Sequence, residues 1–153
     1  MRVGIISDIH GNLEALEAVL SRCGAEHTDQ IYCLGDVVGY GADPVACLEW
    51  VQESSAFVLA GNHDWAAAGR IDTNDFNRLA ADAIAWTRTR LSSDHVVQLG
   101  EFPLTEQRDD VLFVHASPDD PQAFHYIFDA SDAALAIRET DARLTFVGHS
   151  HRA

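Results

Sequence analysis

Short apolar runs separated by stretches of helical periodicity mark most of this chain. The runs Val3–Ser7, Gln30–Leu34, Ala56–Ala60, Val111–His115 and Leu144–Gly148 are too short for helices, and most are rich in β-branched or aromatic residues. Each reads as a strand. Between the first two, Leu13, Leu16 and Leu20 share one face of a helix starting near Asn12, and Glu14 and Glu17 suit the positive end of its dipole. Asp43-Pro44 predicts a second helix, with Asp43 as N-cap and proline at the first helical position. A third comes after Thr73-Asn74-Asp75 and carries Phe76, Leu79, Ala83 and Trp86 at helical spacing; residues 131–138 read as a shorter fourth. Strands alternating with helices predict an α/β fold, βα units around a largely parallel sheet. The 153 residues suit a single domain over 1–153.

The residues at the carboxyl end of each strand carry the chemistry. Val3–Ser7 leads to Asp8 and His10, Gln30–Leu34 to Gly35-Asp36, and Ala56–Ala60 to Gly61-Asn62-His63-Asp64. Val111–Val114 ends on His115, and Leu144–Val147 runs into Gly148-His149-Ser150-His151. Ligands of open α/β sheets bind at the carboxyl ends of strands, so five strand ends offer carboxylates, an amide and imidazoles to one crevice. A turn aspartate or a chance HxH is the ordinary reading of any one of these; five together predict a metal site. Seven donors, Asp8, His10, Asp36, Asn62, His115, His149 and His151, suit two ions better than one. Hard carboxylate, amide oxygen and imidazole without thiolate favour Mn, Fe, Ni, Mg or Zn without choosing among them; Mn is the metal expected first. Paired ions roughly 3.5–4 Å apart clamp an in-line phosphoryl displacement, and Asp36 is the candidate bridging carboxylate.

Charge narrows the substrate. The formal net charge is −14, Asp outnumbers Glu two to one, and all ten cationic side chains are Arg. The absence of Lys removes Schiff-base chemistry and the P-loop lysine, and the missing basic patch argues against a long nucleic acid. Such a surface is one that high salt screens, as in halophiles; an ordinary acidic bacterial protein is the alternative. Two dications less two carboxylates and a hydroxide leave about one positive charge, matching a phosphodiester monoanion. Cys23, Cys33 and Cys47 lack CxxC spacing and read as structural thiols. No apolar run approaches the roughly 20 residues of a membrane span. With no signal peptide at its start, the chain is expected to be soluble and cytoplasmic.

The strings SDIHGN, LGDVVGYG, LAGNHD, VHASPDD and VGHSHR, in order from Val3 to Arg152, resemble the successive motifs of the calcineurin-like metallophosphoesterase superfamily. They are most similar to its small bacterial and archaeal phosphodiesterase branch. The resemblance implies an α/β/β/α sandwich. Relatives continue beyond GHSH with further strands, so the sandwich is expected to be incomplete at its C-terminal side. It assigns Asp8, His10, Asp36 and His151 to a first metal, and Asp36, Asn62, His115 and His149 to a second. His63 matches the family histidine that contacts phosphate and assists the leaving group, while Asp64 orients His63 or caps the next helix. The superfamily's protein phosphatases carry GDxVDRG and GNHE. Here GDVVGYG and GNHD stand instead, which argues against that activity. His27, His95 and His125 match no motif and are expected to face solvent; Trp50, Trp65 and Trp86 are expected in core or rim packing. Residues 66–105 are expected to cover the rim of the site. The expected function is metal-dependent hydrolysis of a small phosphodiester. A phosphomonoesterase or nucleotide pyrophosphohydrolase with the same centre is the first alternative, and a non-catalytic interaction module, like the retromer subunit that resembles the family, the second.

Overall fold

A computed structural model describes residues 1–152 as two three-stranded sheets and six helices. The first sheet, in order β1-β2-β3, is parallel throughout: β1 (Val3–Ile6), β2 (Gln30–Cys33) and β3 (Phe57–Val58) pair with Val3 opposite Gln30 and Tyr32 opposite Phe57. The helices α1 (Leu13–Ala25) and α2 (Pro44–Ser54) make the crossovers that parallel pairing demands. Asn12 caps α1 by accepting from the Ala15 amide at 3.0 Å. Asp43 stands at the N-cap of α2, yet its side chain makes no capping bond, so proline geometry alone sets that start.

The chain then forms α3 (Asn62–Ala67), α4 (Arg78–Arg90) and α5 (Ser93–Glu101) before entering the second sheet. There β5 (Val111–Val114) lies between antiparallel β4 (Thr105–Arg108) and parallel β6 (Leu144–Phe146), with α6 (Ala130–Ile137) in the connection. The five expected strands are therefore split three and two between sheets rather than sharing one. Strand periodicity explains why: in each sheet one face is turned to the other sheet. Tyr32, Leu34, Leu59 and Phe113, with Val3, Ile5, Phe57, Val111 and Phe146, fill the space between the sheets. Alternate residues Ile6 and Cys33 face the helices and pack with Leu16, Leu48, Val51, Ile84 and Leu99. Burial of side chains this size stabilises by about 1.5–3 kcal/mol each. The sandwich matches the expected class.

Several local expectations need correction. Phe76 precedes α4, whose N-cap is Asn77, and the helix buries Ala80, Ile84 and Thr87 rather than Leu79, Ala83 and Trp86. Leu79 is 71% exposed. Packing against α3 explains the rotation, since that helix presents the small Ala66 and Ala67 and the Arg88 side chain bonds the Ala66 carbonyl at 3.2 Å. His95 is not a free surface group: Ser92 Oγ accepts from its amide, and its Nδ1 accepts from the Ser92 amide, closing the start of α5. His27 and His125 are exposed, and His125 pairs with Asp119 at 2.9 Å. Among the described residues no helix is long and apolar enough to cross a membrane.

Candidate metal centre

Beyond β1 and β2 the chain stays paired. The amides of Asp8, His10 and Gly11 donate to the carbonyls of Gly35, Asp36 and Val37 at 3.0, 2.9 and 2.8 Å. Asp8, His10 and Asp36 each adopt left-handed backbone, φ 56°, 51° and 52°, as do His149 at 65° and His151 at 52° after β6. Asp and His are among the residues that tolerate this region, at a cost of about 1–2 kcal/mol each. Local strain of this sort concentrates at functional sites. It also explains why the strands stop earlier than their apolar runs. Gly35 lets two loops touch, since a Cβ there would lie 2.5 Å from the Gly61 nitrogen.

Asp36 is the hub. Its Oδ1 accepts from the His63 amide at 2.9 Å, while Oδ2 lies 3.6 Å from His10 Nε2 and 3.3 Å from His115 Nε2. The opposite ring nitrogens are tied to backbone: His10 Nδ1 to Val38 O at 3.2 Å and His115 Nδ1 to Leu34 O at 2.9 Å. Such bonds fix ring orientation and turn Nε2 towards the site. Asp8 joins the two sheets, its carboxylate accepting from the His149 amide at 3.1 Å and lying 3.2 Å from His151 Nε2.

The donor atoms fall into three overlapping groups, each within 4.8 Å: Asp8, His10 and His151; His10, Asp36 and His63; Asp36, His115 and His149. Asn62 opens α3 beside them. Its Oδ1, with His115 Nε2, His149 Nε2 and His63 Nδ1, is buried without a hydrogen-bond partner among the described residues. His115 Nε2 is close to Asp36 but not aligned for a hydrogen bond. Each such orphan costs about 1–3 kcal/mol, so several in one spot suit a cation that would take their lone pairs. The residues fit a metal.

Burial acts on every group here. It would raise Asp36, but the charge of His115 beside it, with those of His63 and His10, holds that carboxyl well below its usual range. For His115 burial lowers and the Asp36 charge outweighs it, giving about 9. Burial takes His63 and His149 down to about 4, so both are neutral at neutral pH. Among the described residues the Asp64 carboxylate makes no hydrogen bond to the His63 ring and joins no metal-capable group. Its oxygens accept from the amides of Val37, Val38 and Gly61, closing α3 and pinning the loop that carries Asp36.

Of the 66–105 segment expected at the rim, only residues between Arg70 and Ala80 line the hollow beside Asn62, His63 and His149. Two tyrosines join the site beyond the residues the sequence pattern marks. Tyr40 packs edge-on to His10 at 4.9 Å between ring centroids, and Tyr126 stacks on His149 at 3.8 Å. Both line the hollow over Asp36. Tyr40 lies inside the LGDVVGYG string; nothing in the sequence marks Tyr126.

A family model described as calcineurin-like phosphoesterase matches residues 1–153. An uncharacterised protein of Methanocaldococcus jannaschii is 38% identical over 154 residues, covering 97% of this chain and 62% of its own. The crystal structure of a metallophosphoesterase from Sphaerobacter thermophilus superposes with a TM-score of 0.86 at 44% identity, over 99% of this chain and 61% of that one. A symmetrical bis(5'-nucleosyl)-tetraphosphatase of Photorhabdus laumondii is 36% identical over 67 residues, 42% of this chain and 24% of its own. The chain spans about three fifths of the length of the first two. With the match running over every residue, and with its motifs ending on the side chains that surround Asp36, the chain belongs to the calcineurin-like phosphoesterase family.

Proposed function

We propose that this protein hydrolyses a small phosphodiester at a dinuclear metal centre. Asp8, His10, Asp36 and His151 would hold the first ion, and Asp36, Asn62, His115 and His149 the second, with manganese the favoured metal. The carrying observation is the overlap of donor groups around Asp36 Oδ2, which faces His10 on one side and His115 on the other. Bound there, two divalent ions would stabilise charge on the phosphoryl oxygens and lower the pKa of a bound water.

The chain's own residues then divide the remaining work. Asp36 is held in place through its other oxygen by the His63 amide, so it can bridge without swinging. His63 stands at the hollow's edge, 4.7 Å between ring centroids from His10, where it would protonate or position the departing oxygen. In the overall reaction a water oxygen bonds to phosphorus, the ester P–O bond breaks, and the departing oxygen takes up a proton. Its place in the second metal-capable group makes ligation the alternative role for His63.

The test is a metal-reconstituted assay comparing bis(4-nitrophenyl) phosphate with 4-nitrophenyl phosphate. Faster turnover of the diester is expected. Preference for the monoester would make the protein a phosphomonoesterase on the same centre, and metal binding without turnover of any phosphoester in a broad panel would favour the interaction module.

A further inference from the structure

His149 and His151 serve different ions in the proposed centre, yet both hang from one short stretch after β6. Backbone holds the start of that stretch: the Gly148 amide donates to the His115 carbonyl at 2.8 Å, and the Ser150 amide to the Gly148 carbonyl at 2.7 Å. Among the described residues, neither His151 nor Arg152 joins a backbone–backbone hydrogen bond. The His151 ring nonetheless reaches the site, its Nε2 3.2 Å from Asp8 Oδ1 and 3.1 Å from His10 Nε2. Its backbone is left-handed, φ 52°, a conformation that persists only where the surroundings impose it.

Those surroundings include a series of stacked flat groups. Tyr126 lies on His149 with 3.8 Å between ring centroids and 23° between planes. Phe128 stacks on Tyr126 at 4.9 Å and 6°. The Arg152 guanidinium stands over Phe128, 5.2 Å from its centroid, and donates to the Phe128 carbonyl at 3.3 Å. The series thus starts at His149 and ends at Arg152, closing a clasp across Ser150 and His151. Its fixed post is Phe128, whose amide donates to the Asp132 carboxylate at 2.9 Å in the first turn of α6. Tyr126 and Phe128 are half exposed, so burial in the core does not account for their placement.

Resting on the dinuclear reading, we infer that Phe128 and Arg152 are positioning residues: the clasp they form sets His151 over the first ion. Neither is itself a metal donor. Groups that orient a metal ligand commonly change metal affinity by about 10–100-fold. A single cation–π contact at an exposed position supplies about two- to fivefold of such an effect. Charge acts in the opposite direction. A guanidinium near a dication repels it, so removing Arg152 would tighten the first ion if charge alone mattered. Weaker binding on its removal is the mark of positioning.

Titration with Mn²⁺ against a competing chelator, followed by electron paramagnetic resonance, counts the ions, and His151→Ala marks the binding step of the first. Arg152→Ala should weaken that step by about two- to fivefold and leave the other unchanged. Phe128→Ala should weaken it at least as much, whereas Phe128→Tyr keeps the ring and should bind like the unaltered protein. An unchanged or tighter first step in Arg152→Ala overturns the inference. The clasp is also read without metal. In stripped protein the NMR order parameter of the His151 amide should fall in Arg152→Ala, and not in Leu135→Ala at an exposed position of α6. An unchanged order parameter in Arg152→Ala overturns the inference as well. If the unaltered protein takes up only one Mn²⁺, the dinuclear reading fails, and the order parameters alone decide whether the clasp holds His151.

Discussion

Gly148 stands where the end of β6 meets the end of β1, and its lack of a side chain is what lets Asp8 lie against His149. A Cβ would strike the Ser7 hydroxyl and sit 2.7 Å from Asp8 Oδ2. Overpacking of this sort costs about 1–3 kcal/mol, so Gly148→Ala should lower Tm by several degrees and reduce bound metal per chain, measured after dialysis by atomic emission. Unchanged metal content would show that Asp8 is not needed where it is. His63→Ala separates its two possible roles. As a group acting on the departing oxygen it should leave metal content intact and lower kcat by about 10²–10⁴-fold, most for poor leaving groups. Loss of metal would make it a ligand instead, and an even loss across leaving groups would point to phosphate positioning. The site is legible in the sequence because its ligands come directly after apolar runs and because Asp and His suit the left-handed turns they occupy. Tyr126 is not, because its place over His149 comes from a loop whose path no local pattern encodes.

Helix α4 illustrates what periodicity can miss. Leu79, Ala83 and Trp86 keep helical spacing, yet the helix is turned so that Ala80, Ile84 and Thr87 face inward. Leu79 and Trp86 mark the wrong stripe, whereas the inward one sets Ile84, between the smaller Ala80 and Thr87, in the cluster with Ala66 and Ala67 of α3. Ile84→Ala should therefore cost about 2–5 kcal/mol in a denaturant titration, against less than about 0.5 for Leu79→Gln. Equal costs would favour the stripe through Leu79. Strand β4 has no apolar signature because its sequence, Thr105-Glu106-Gln107-Arg108, is polar, as suits an edge position. The cysteines bear on the elements as well. Burial pushes Cys33 in β2 up to about 12 and Cys47 in α2 to about 11, while Cys23 is only partly buried. At pH 8 iodoacetamide should modify Cys23 alone, as read by mass spectrometry of peptides. A thiol raised in the folded state contributes stability that is complete below its unfolded value of about 9 and lost as pH climbs towards 12. Melts repeated from pH 8 to 11 should show Tm falling above 9, and labelling of Cys33 in the native protein at pH 8 would contradict its burial.

At the scale of the whole molecule, the pattern of strands and helices yields the class but not the division into two sheets. Both sheets use the same β-branched and aromatic residues, and only the pairing of distant strands distinguishes them. The family resemblance supplies what periodicity lacks. One consequence of the division lies in the provenance of the ligands. Asp8, His10, Asp36 and Asn62 come after strands of the first sheet, and His115, His149 and His151 after strands of the second. Two ions seated among them, as proposed, would also rivet together two slabs that otherwise adhere through apolar packing and a few hydrogen bonds, such as that from the His149 amide to Asp8. Ligand bound at 100 times its dissociation constant adds about 2.7 kcal/mol to the folded state. Chelation should therefore lower Tm and, more tellingly, speed amide hydrogen exchange in β5 and β6 beyond its effect on β1 and β2. If exchange rises equally in both sheets, the slabs open together and the rivet is only ballast.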